Sequence, residues 1–405
     1  MLLLFKENPL IMKFSLFQII YRLSIGIIVP FFSLILNQAG WSISEITYFF
    51  SLAAFVIFFL GPIIGRVADE IGKKKVIVFG LSIQMIFFLL YYFIIDHIYL
   101  TYTIRFFEIV SFICVGVVGI GALEDLIGKR ERGFFTGLIL GIGTLGSLLG
   151  PILAGYIAQY FEAKVLFLFA VPLTFLSILF ILLLPEFKLS NKKFSKNDLN
   201  IFSEFSVFLR EKKLRGMAIF GILMNSKNQI YAIFFPILIV SQMGYSESVL
   251  GYLLALPVFL HIFQFIFGKI GDTISSEFGV MLGVFLAAIS IFFLPFVKTL
   301  PTICFLLVVY GIGSSIWNVN AWTLMGEVAK KKHIEGEIVA TYSSLSKLGV
   351  LISTLVSATL VSFLGIEKTL QLFGILILLS MIIVLYFFKP LFHHKKHGSY
   401  FDSMK

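Results

Sequence analysis

The sequence contains little charge. Asp, Glu, Lys and Arg together make up 13% of its 405 residues, whereas a soluble domain carries about 25%. Apolar residues account for 59% of the chain and include 48 Phe, which is more than a globule of this size can bury beneath a polar surface. This lack of polar surface excludes soluble enzymes, nucleic-acid-binding proteins and disordered proteins. It predicts that the chain lies in a lipid bilayer.

Cysteine is scarce, and the common cofactor motifs are missing. The two cysteines, Cys114 and Cys304, lie in apolar runs, so the sequence predicts neither a disulfide framework nor a metal site. No G-x-x-x-x-G-K-[ST] pattern occurs, which argues against an ATP-driven pump. The pattern G-x-G-x-x-G does occur at Gly141, Gly143 and Gly146, but it lies in an apolar helical run with no strand before it. We therefore expect no metal ion and no cofactor.

Twelve apolar segments follow one another along the chain, each about as long as the 20 residues that a helix needs to span a bilayer. Backbone polar groups in hydrocarbon must bond to one another, and the alternating pattern of a barrel is absent, so each segment is predicted to be a helix. The segments are 14–37, 44–64, 76–95, 98–121, 137–158, 165–184, 217–240, 249–267, 280–296, 302–325, 338–361 and 369–388.

The basic residues predict how the spans are oriented. Lys and Arg that flank membrane spans stay on the cytoplasmic side, and most of the 32 Lys and Arg residues fall on the side that holds the N-terminus. Only Lys164, Lys298 and Lys368 flank spans on the opposite side. Because the number of spans is even, both termini are predicted to lie in the cytoplasm of a multi-pass protein of the cell membrane.

A polar stretch at 186–215 divides the first six spans from the last six. We predict a six-helix bundle at 1–189, a cytoplasmic linker at 190–213, a second six-helix bundle at 214–389 and a cytoplasmic tail at 390–405. The linker is either an amphipathic helix in the membrane interface or a charged flexible segment.

The two halves of the chain also repeat each other. Gly65 and Asp69 recur as Gly268 and Asp272, in the loop after the second span of each half. The segments Asn37–Ser44 and Ser241–Ser248 read N-x-x-G-W-S-x-S and S-x-x-G-Y-S-x-S. A duplicated six-helix unit is typical of a transporter whose halves rock around a site at the middle of the membrane.

The loop after the second span carries a family signature. Residues 61–75 fit the pattern G-x-x-x-D-x-x-G-[RK]-[RK] and in this resemble the corresponding loop of the major facilitator superfamily. The resemblance implies an all-α membrane protein with twelve transmembrane helices, arranged as two six-helix bundles related by pseudo-two-fold symmetry. It also implies a secondary transporter that works by alternating access, without ATP or a prosthetic group.

The resemblance further implies that this loop closes the cytoplasmic side when the other side is open. Gly65 and Gly72 would allow a tight turn, and Asp69 would face a helix N-terminus or a basic partner in the other half. The alternative is a plain turn that keeps basic residues in the cytoplasm. The residues of this predicted cytoplasmic gate are Gly65, Arg66, Asp69, Gly72, Lys73 and, in the second copy, which lacks the basic run, Asp272.

The fifth span resembles the antiporter signature of the same family, which is associated with export. The pattern G-x8-G-x3-G-P-x2-[AG]-G is met by Gly137, Gly146, Gly150, Pro151, Ala154 and Gly155. These residues also have a packing explanation, since small residues four apart let helices approach closely and a proline can kink a helix.

Five charged residues lie within spans. Each costs roughly 2.5–3.5 kcal/mol near the middle of a bilayer, so they are expected to face one another or a water-filled cavity. In the family, the first, fourth, seventh and tenth spans surround that cavity. The charged residues are Arg22, Arg105, Glu108, Lys227 and Lys347, and the predicted cavity residues are Arg22, Arg105, Glu108, Asn225, Lys227, Trp317, Asn318 and Asn320.

Glu108 is the only acidic residue well inside a span, and Arg105 lies one turn before it. Residues three apart share a helix face, and a site that opens and closes around such a carboxyl can load and release a proton. We predict that Glu108 carries the coupling proton, with Arg105 or Arg22 as its partner. The alternative is a static ion pair that holds the first and fourth spans together.

The charges within the spans also bear on the substrate. Four bases against one acid favour an anionic or zwitterionic metabolite, because Arg binds carboxylate and phosphate. The fifth-span motif favours instead a proton-driven exporter of lipophilic drugs. A membrane-embedded transferase is the third alternative, and it would need acids, histidines or metal ligands clustered at one membrane face. The expected partners are a small-molecule substrate, protons and the lipid bilayer, with no nucleic acid and a monomeric chain.

Overall fold

The computed structural model describes residues 9–126, 132–187, 209–264, 266–267, 273–332 and 335–388, and in this part of the chain every regular element is helical. The 3₁₀ turns are Ala163–Val165 and Leu294–Phe296, and a π-helix spans Leu238–Gln242. The α-helices are α1 (Pro9–Ile28), α2 (Phe32–Gln38), α3 (Ile43–Ile71), α4 (Lys73–Ile94), α5 (Ile98–Leu126), α6 (Arg132–Tyr160), α7 (Leu166–Leu182), α8 (Lys212–Ile237), α9 (Glu247–His261), α10 (Ser276–Phe293), α11 (Leu300–Lys332) and α12 (Glu335–Phe387).

The helices account for the twelve predicted spans. Within the described residues, nine stretches are long and apolar enough to cross a membrane. The first of them joins α1 and α2, and the last, Ser344–Phe387, contains two spans because Gly365 interrupts α12 with a φ of 77°. The seventh and eighth spans are α8 and the shorter α9. The prediction of an all-α protein with twelve membrane spans is confirmed.

The surface of the helices is apolar, as a lipid-facing surface must be. Large side chains such as Phe59, Phe79, Phe93, Phe363 and Ile382 are more than half exposed. A soluble monomer rarely exposes apolar patches of this extent. The many Phe residues are therefore divided between helix packing and the surface that contacts lipid.

Local sequence signals explain where α3 begins, where it ends and where α4 follows it. The hydroxyl of Ser42 accepts a hydrogen bond from the backbone N–H of Glu45, whose carboxylate accepts one from the N–H of Ser42, so that a capping box starts α3. The helix ends at Gly72, whose φ of 109° turns the chain directly into α4. Gly65 lies within α3, so the expectation of a turn at Gly65 is wrong.

The described residues pack as two compact units. Those within Met1–Ile201, Asn225–Val258 and Lys347–Thr369 form the first unit, and those within Phe202–Met224, Phe259–Ser346 and Leu370–Lys405 form the second. Residues 190–208 of the predicted linker and the tail at 390–405 lie outside the described residues. The division into bundles at 1–189 and 214–389 stays a prediction.

In the first unit, α1 is the central helix. It packs along α6 and α7, while α4 packs on α5 and α7, and α3 packs on α5. In the second unit, α10 and α11 pack closely along each other. Gly283 makes this contact possible, because a Cβ there would lie 2.4 Å from the backbone nitrogen of Trp317.

Candidate functional site

A cavity of about 610 Å³ lies within the first unit, among α1, α5, α6, α8 and α9. Most of its lining is apolar, with Ile25, Val29, Phe112, Val115 and Leu254 as examples. Arg22 is the one charged residue among the described residues of the lining. The other polar side chains that line the cavity are Gln18, Tyr21, Ser147 and Tyr231.

Arg22 and its neighbours on α1 form the polar part of the cavity wall. The Nε of Arg22 donates a hydrogen bond of 3.4 Å to the side-chain oxygen of Gln18, one helical turn earlier. Tyr21 is 6% exposed and stacks on Phe17 with ring centroids 5.9 Å apart. Its hydroxyl has no hydrogen-bond partner among the described residues. The sequence prediction placed Arg22 in a cavity, and the structure brings it to one.

Arg105 and Glu108 form a buried ion pair within α5. The Cζ of Arg105 lies 5.3 Å from the ring centroid of Phe32, 4.8 Å from that of Phe49 and 5.5 Å from that of Phe50. A guanidinium among three aromatic faces gains cation–π attraction. The structure pairs Glu108 with Arg105 rather than Arg22, and neither member of the pair lines the cavity. The coupling role of Glu108 stays a prediction.

Two predicted polar residues of the seventh span, Asn225 and Lys227, are not among the described residues that line the cavity. Lys227 on α8 is 1% exposed and Asn225 is half-buried. Tyr231, one turn after Lys227, does line the cavity. The assignment of Asn225 and Lys227 to the substrate cavity stays a prediction.

The polar residues of the tenth span belong to the second unit. Trp317 is buried with its ring against Phe220, at 6.1 Å between centroids. The side-chain amide of Asn320 is also buried, and it donates a 2.8 Å hydrogen bond to the carbonyl of Ile316. Asn318 is exposed. Their assignment to a substrate cavity also stays a prediction.

The signature loop is held together by Lys73. Its Nζ lies 3.1 Å from a carboxylate oxygen of Asp69 and 2.7 Å from one of Asp125. The ion pairs connect the end of α3, the start of α4 and the end of α5. The partner of Asp69 in the described residues is thus a residue of its own signature. Arg66 is half-buried on α3, and Asp272 lies outside the described residues.

The glycines of the fifth span lie where α6 touches other helices. A Cβ at Gly146 would lie 2.3 Å from the carbonyl oxygen of Ile19, and one at Gly150 would lie 2.5 Å from the carbonyl carbon of Gly26, both on α1. A Cβ at Gly155 would lie 2.5 Å from the carbonyl oxygen of Glu247. The packing interpretation of these glycines is confirmed for α1, and Gly155 makes the same kind of contact with α9.

The remaining members of this motif are also on α6. Pro151 lies inside the helix and lines the cavity, and its carbonyl oxygen would lie 2.4 Å from a Cβ at Gly251 on α9. Gly137 is on the same helix, in a part whose side chains lie outside the described ones. The association of this motif with export stays a prediction.

Sequence reasoning missed two features of this site. Tyr21 was not singled out, because an aromatic residue on an apolar helix is no signal in a chain with 15 Tyr and 48 Phe. Asp125 was not recognised as the partner of Lys73, because 52 residues separate them. For the second feature, the available signal was that Asp125 is a carboxylate at the end of the fourth span.

The helical fold described above agrees with a comparison of the sequence with known protein families. A sequence profile described as Major Facilitator Superfamily matches residues 14–335 and 228–402. The chain belongs to the major facilitator superfamily. It is therefore a multi-pass membrane transporter, and the predicted resemblance to this family is confirmed.

Relatives within the superfamily cover nearly the whole chain. An uncharacterized MFS-type transporter of Methanocaldococcus jannaschii is 24% identical over 351 residues, which are 85% of this chain and 89% of the relative. The class H tetracycline resistance protein of Pasteurella multocida is 23% identical over 397 residues, which are 94% of this chain and 96% of that protein. The crystal structure of the nucleoside transporter NupG matches with a TM-score of 0.78 at 13% identity, covering 94% of this chain and 99% of NupG. At that identity the structural likeness establishes the fold alone.

Proposed function

We propose that this MFS transporter is a proton-coupled secondary transporter whose substrate is an amphipathic organic anion. The observation that carries the proposal is the cavity of about 610 Å³, whose described lining is apolar except for a few polar side chains and one cation, Arg22. A molecule with an apolar body and one acidic group is complementary to that lining.

The positive charge of the cavity lining favours an anionic substrate over a cationic one. Arg presents several N–H donors that match a carboxylate, phosphate or sulfonate group. A cationic group in the same space would meet like charge without a carboxylate in the described lining to offset its desolvation.

Glu108 supports the proton-coupled part of the proposal. Its carboxylate is buried with Arg105 in the same unit as the cavity. Glu108 lies on α5, which contributes Phe112 and Val115 to the cavity lining. One proton crossing 100 mV supplies about 2.3 kcal/mol, which is sufficient to drive accumulation of a substrate.

The setting of the protein is part of the same proposal. We place the chain in the cell membrane as a monomer, with both termini in the cytoplasm, because Lys and Arg concentrate on that side of the spans. The fifth-helix motif favours export as the direction of transport. The substrate would then leave the cytoplasm as protons enter.

A second candidate function is the export of neutral lipophilic drugs. The apolar majority of the cavity lining favours it, as does the relative that is named for tetracycline resistance. The two candidates differ in one respect that can be tested, which is the need for a negative charge on the substrate.

Transport assays in proteoliposomes with an imposed pH gradient separate the two candidates. The probes are dansylate, a permanently ionised sulfonate, and dansylamide, its neutral isostere. We expect gradient-driven transport of dansylate, lost in Arg22→Gln, and little transport of dansylamide; protein-free liposomes are the control for leakage. Transport of dansylamide alone would favour the drug exporter, and transport of neither probe would reject the proposed substrate class.

A further inference from the structure

A glycine on α6, Gly143, packs against Arg22, the one charged residue in the described lining of the cavity. If Gly143 carried a Cβ, that atom would lie 2.9 Å from the Nε of Arg22, 3.0 Å from its Cδ and 3.4 Å from its Cζ. The guanidinium of Arg22 thus rests against the backbone of α6 with no room for a methyl group between them. Gly143 belongs to neither family signature.

The neighbouring glycines of α6 show that this contact is of a different kind. A Cβ added at Gly146 would meet the backbone of α1, at the carbonyl oxygen of Ile19. The three atoms nearest to a Cβ at Gly143 all belong to the outer part of the Arg22 side chain, which can move without separating the two helices. The consequence of filling this space therefore falls on the position of Arg22 rather than on the packing of the helices.

A second observation indicates that the position of Arg22 matters to a ligand. The adjacent Tyr21 is 94% buried, since its exposed fraction is 6%, and it lines the same cavity. Its hydroxyl has no partner among the described residues. An unsatisfied buried hydroxyl costs free energy, so the wall beside Arg22 is polar but leaves the guanidinium as the group that an anionic oxygen in the cavity would bind.

We infer that Gly143 is a positioning residue for substrate recognition: its missing side chain lets Arg22 lie where its guanidinium binds the anionic group of the substrate. This inference rests on the proposed function, and it names the specificity determinant of that site. A methyl group at position 143 displaces the guanidinium and disturbs its 3.4 Å hydrogen bond to Gln18. Recognition of charge is then weakened, while the apolar part of the cavity is unchanged.

The chain supplies a matched control two residues away. Gly141 is on the same helix, and a Cβ there would have nothing within 4 Å. Gly141→Ala makes the same chemical change as Gly143→Ala, with the same effect on helix propensity, but without contact to Arg22. Any difference between the two variants reports the contact at position 143.

The test measures binding of dansylate and dansylamide to the full chain in lipid nanodiscs by fluorescence titration. For Gly143→Ala we expect dansylate affinity to fall about tenfold, the loss of one charge-assisted hydrogen bond. Dansylamide affinity should stay within about twofold in Gly143→Ala, and both affinities should do so in Gly141→Ala. In an Arg22→Gln background, Gly143→Ala should have no further effect on dansylate, because the group it displaces is gone.

The possible results distinguish failure of this inference from failure of the proposed function. If the wild-type protein shows no preference for dansylate, the proposed function is wrong and the inference falls with it. If the preference exists but survives in Gly143→Ala, or falls equally in Gly141→Ala, only the role of Gly143 is wrong. If Gly143→Ala fails to fold while Arg22→Gln/Gly143→Ala folds, the contact is structural and the positioning role is rejected.

Discussion

The side-chain oxygen of Asn37 accepts a hydrogen bond of 2.7 Å from the hydroxyl of Ser241. These residues occupy the first position of the two repeated turns, Asn37–Ser44 and Ser241–Ser248. Both turns contain a glycine in the left-handed region, Gly40 with a φ of 88° and Gly244 with a φ of 75°. The internal repeat of the sequence is thus also a contact in the first unit, where one copy of the turn binds the other.

A second hydrogen bond joins the same two turns. The side-chain nitrogen of Gln38 donates to a carboxylate oxygen of Glu247 at 3.2 Å. Beyond the turns, the hydroxyl groups of Tyr156 and Tyr252 also bond to each other. Polar contacts therefore join the end of the first span to the end of the seventh span and to the start of the eighth. These contacts can be broken and reformed at lower cost than an apolar core.

A disulfide between the two turns is predicted to stop transport. Replacing Asn37 and Ser241 with Cys, in a chain whose Cys114 and Cys304 are changed to Ala, puts thiols at two positions whose side chains now touch through a 2.7 Å hydrogen bond. Alternating access requires these ends to separate in each cycle. We expect oxidation to abolish dansylate transport in proteoliposomes and a thiol reductant to restore it.

The single-cysteine variants are the controls for this experiment, and oxidation should leave their transport unchanged. A cross-linked protein, verified by its migration on a gel, that transports at the wild-type rate would contradict the prediction. It would mean that the two turns stay together throughout the cycle.

Removing the carboxylate of Glu108 is predicted to stop gradient-driven accumulation of substrate but not exchange of substrate across the membrane. Glu108→Gln keeps the shape of the side chain but cannot release a proton. We expect the variant to lose accumulation of dansylate against a pH gradient while it still exchanges internal for external dansylate without a gradient. Both rates are measured in the same proteoliposomes.

A control for folding accompanies this variant. Removing one member of a buried ion pair typically costs about 3–5 kcal/mol, so Glu108→Gln can lose activity through instability alone. The variant Arg105→Gln/Glu108→Gln removes both charges from the aromatic surroundings of Arg105. If Glu108→Gln accumulates dansylate like the wild type, Glu108 is a structural partner of Arg105 and the coupling group lies elsewhere.

The sequence was sufficient for features that depend on one helix. The twelve spans follow from segment length and hydropathy, and the pairing of Arg105 with Glu108 follows from their spacing of three residues in α5. The glycines of α6 were recognisable because close helix approach demands small residues. In each case the physical cause lies within a single helix.

The sequence was insufficient for features that depend on how helices are rotated about their axes. Successive residues differ by about 100° in direction on a helix, so the presence of a charge within a span does not say whether it faces the cavity. Arg22 faces it, whereas the aromatic rings of α2 and α3 receive Arg105. Tyr21 and Gly143 acquire their roles only through Arg22, and no local pattern predicts that.

Alanine at the contact glycines of α6 is predicted to destabilise the protein. A methyl group at Gly146 or Gly150 would lie 2.3 Å or 2.5 Å from backbone atoms of α1, and overpacking of this kind costs about 1–3 kcal/mol. We expect both variants to unfold at lower temperature in detergent, with Gly141→Ala as stable as the wild type or slightly more so. Equal stability of all three variants would show that α1 and α6 can separate without loss.

The two carboxylates around Lys73 are predicted to contribute unequally to stability. Asp125 lies 2.7 Å from the Lys73 amine with its side chain 23% exposed, whereas Asp69 lies at 3.1 Å and is 40% exposed. An exposed pair is weakened by solvent and by salt. Asp125→Asn should therefore lower the unfolding midpoint more than Asp69→Asn, because it removes the shorter and more buried interaction.

Thermal unfolding of the two isosteric variants at low and high salt tests whether Asp125→Asn destabilises the protein more than Asp69→Asn. The difference between Asp69→Asn and the wild type should shrink further at high salt than the difference caused by Asp125→Asn, since screening acts mainly on the exposed pair. If Asp69→Asn is the more destabilising variant, then Asp69 has a stronger partner than Lys73, as the family resemblance implied. The ion pair between Lys73 and Asp125 would then contribute less to stability than the contact that Asp69 makes.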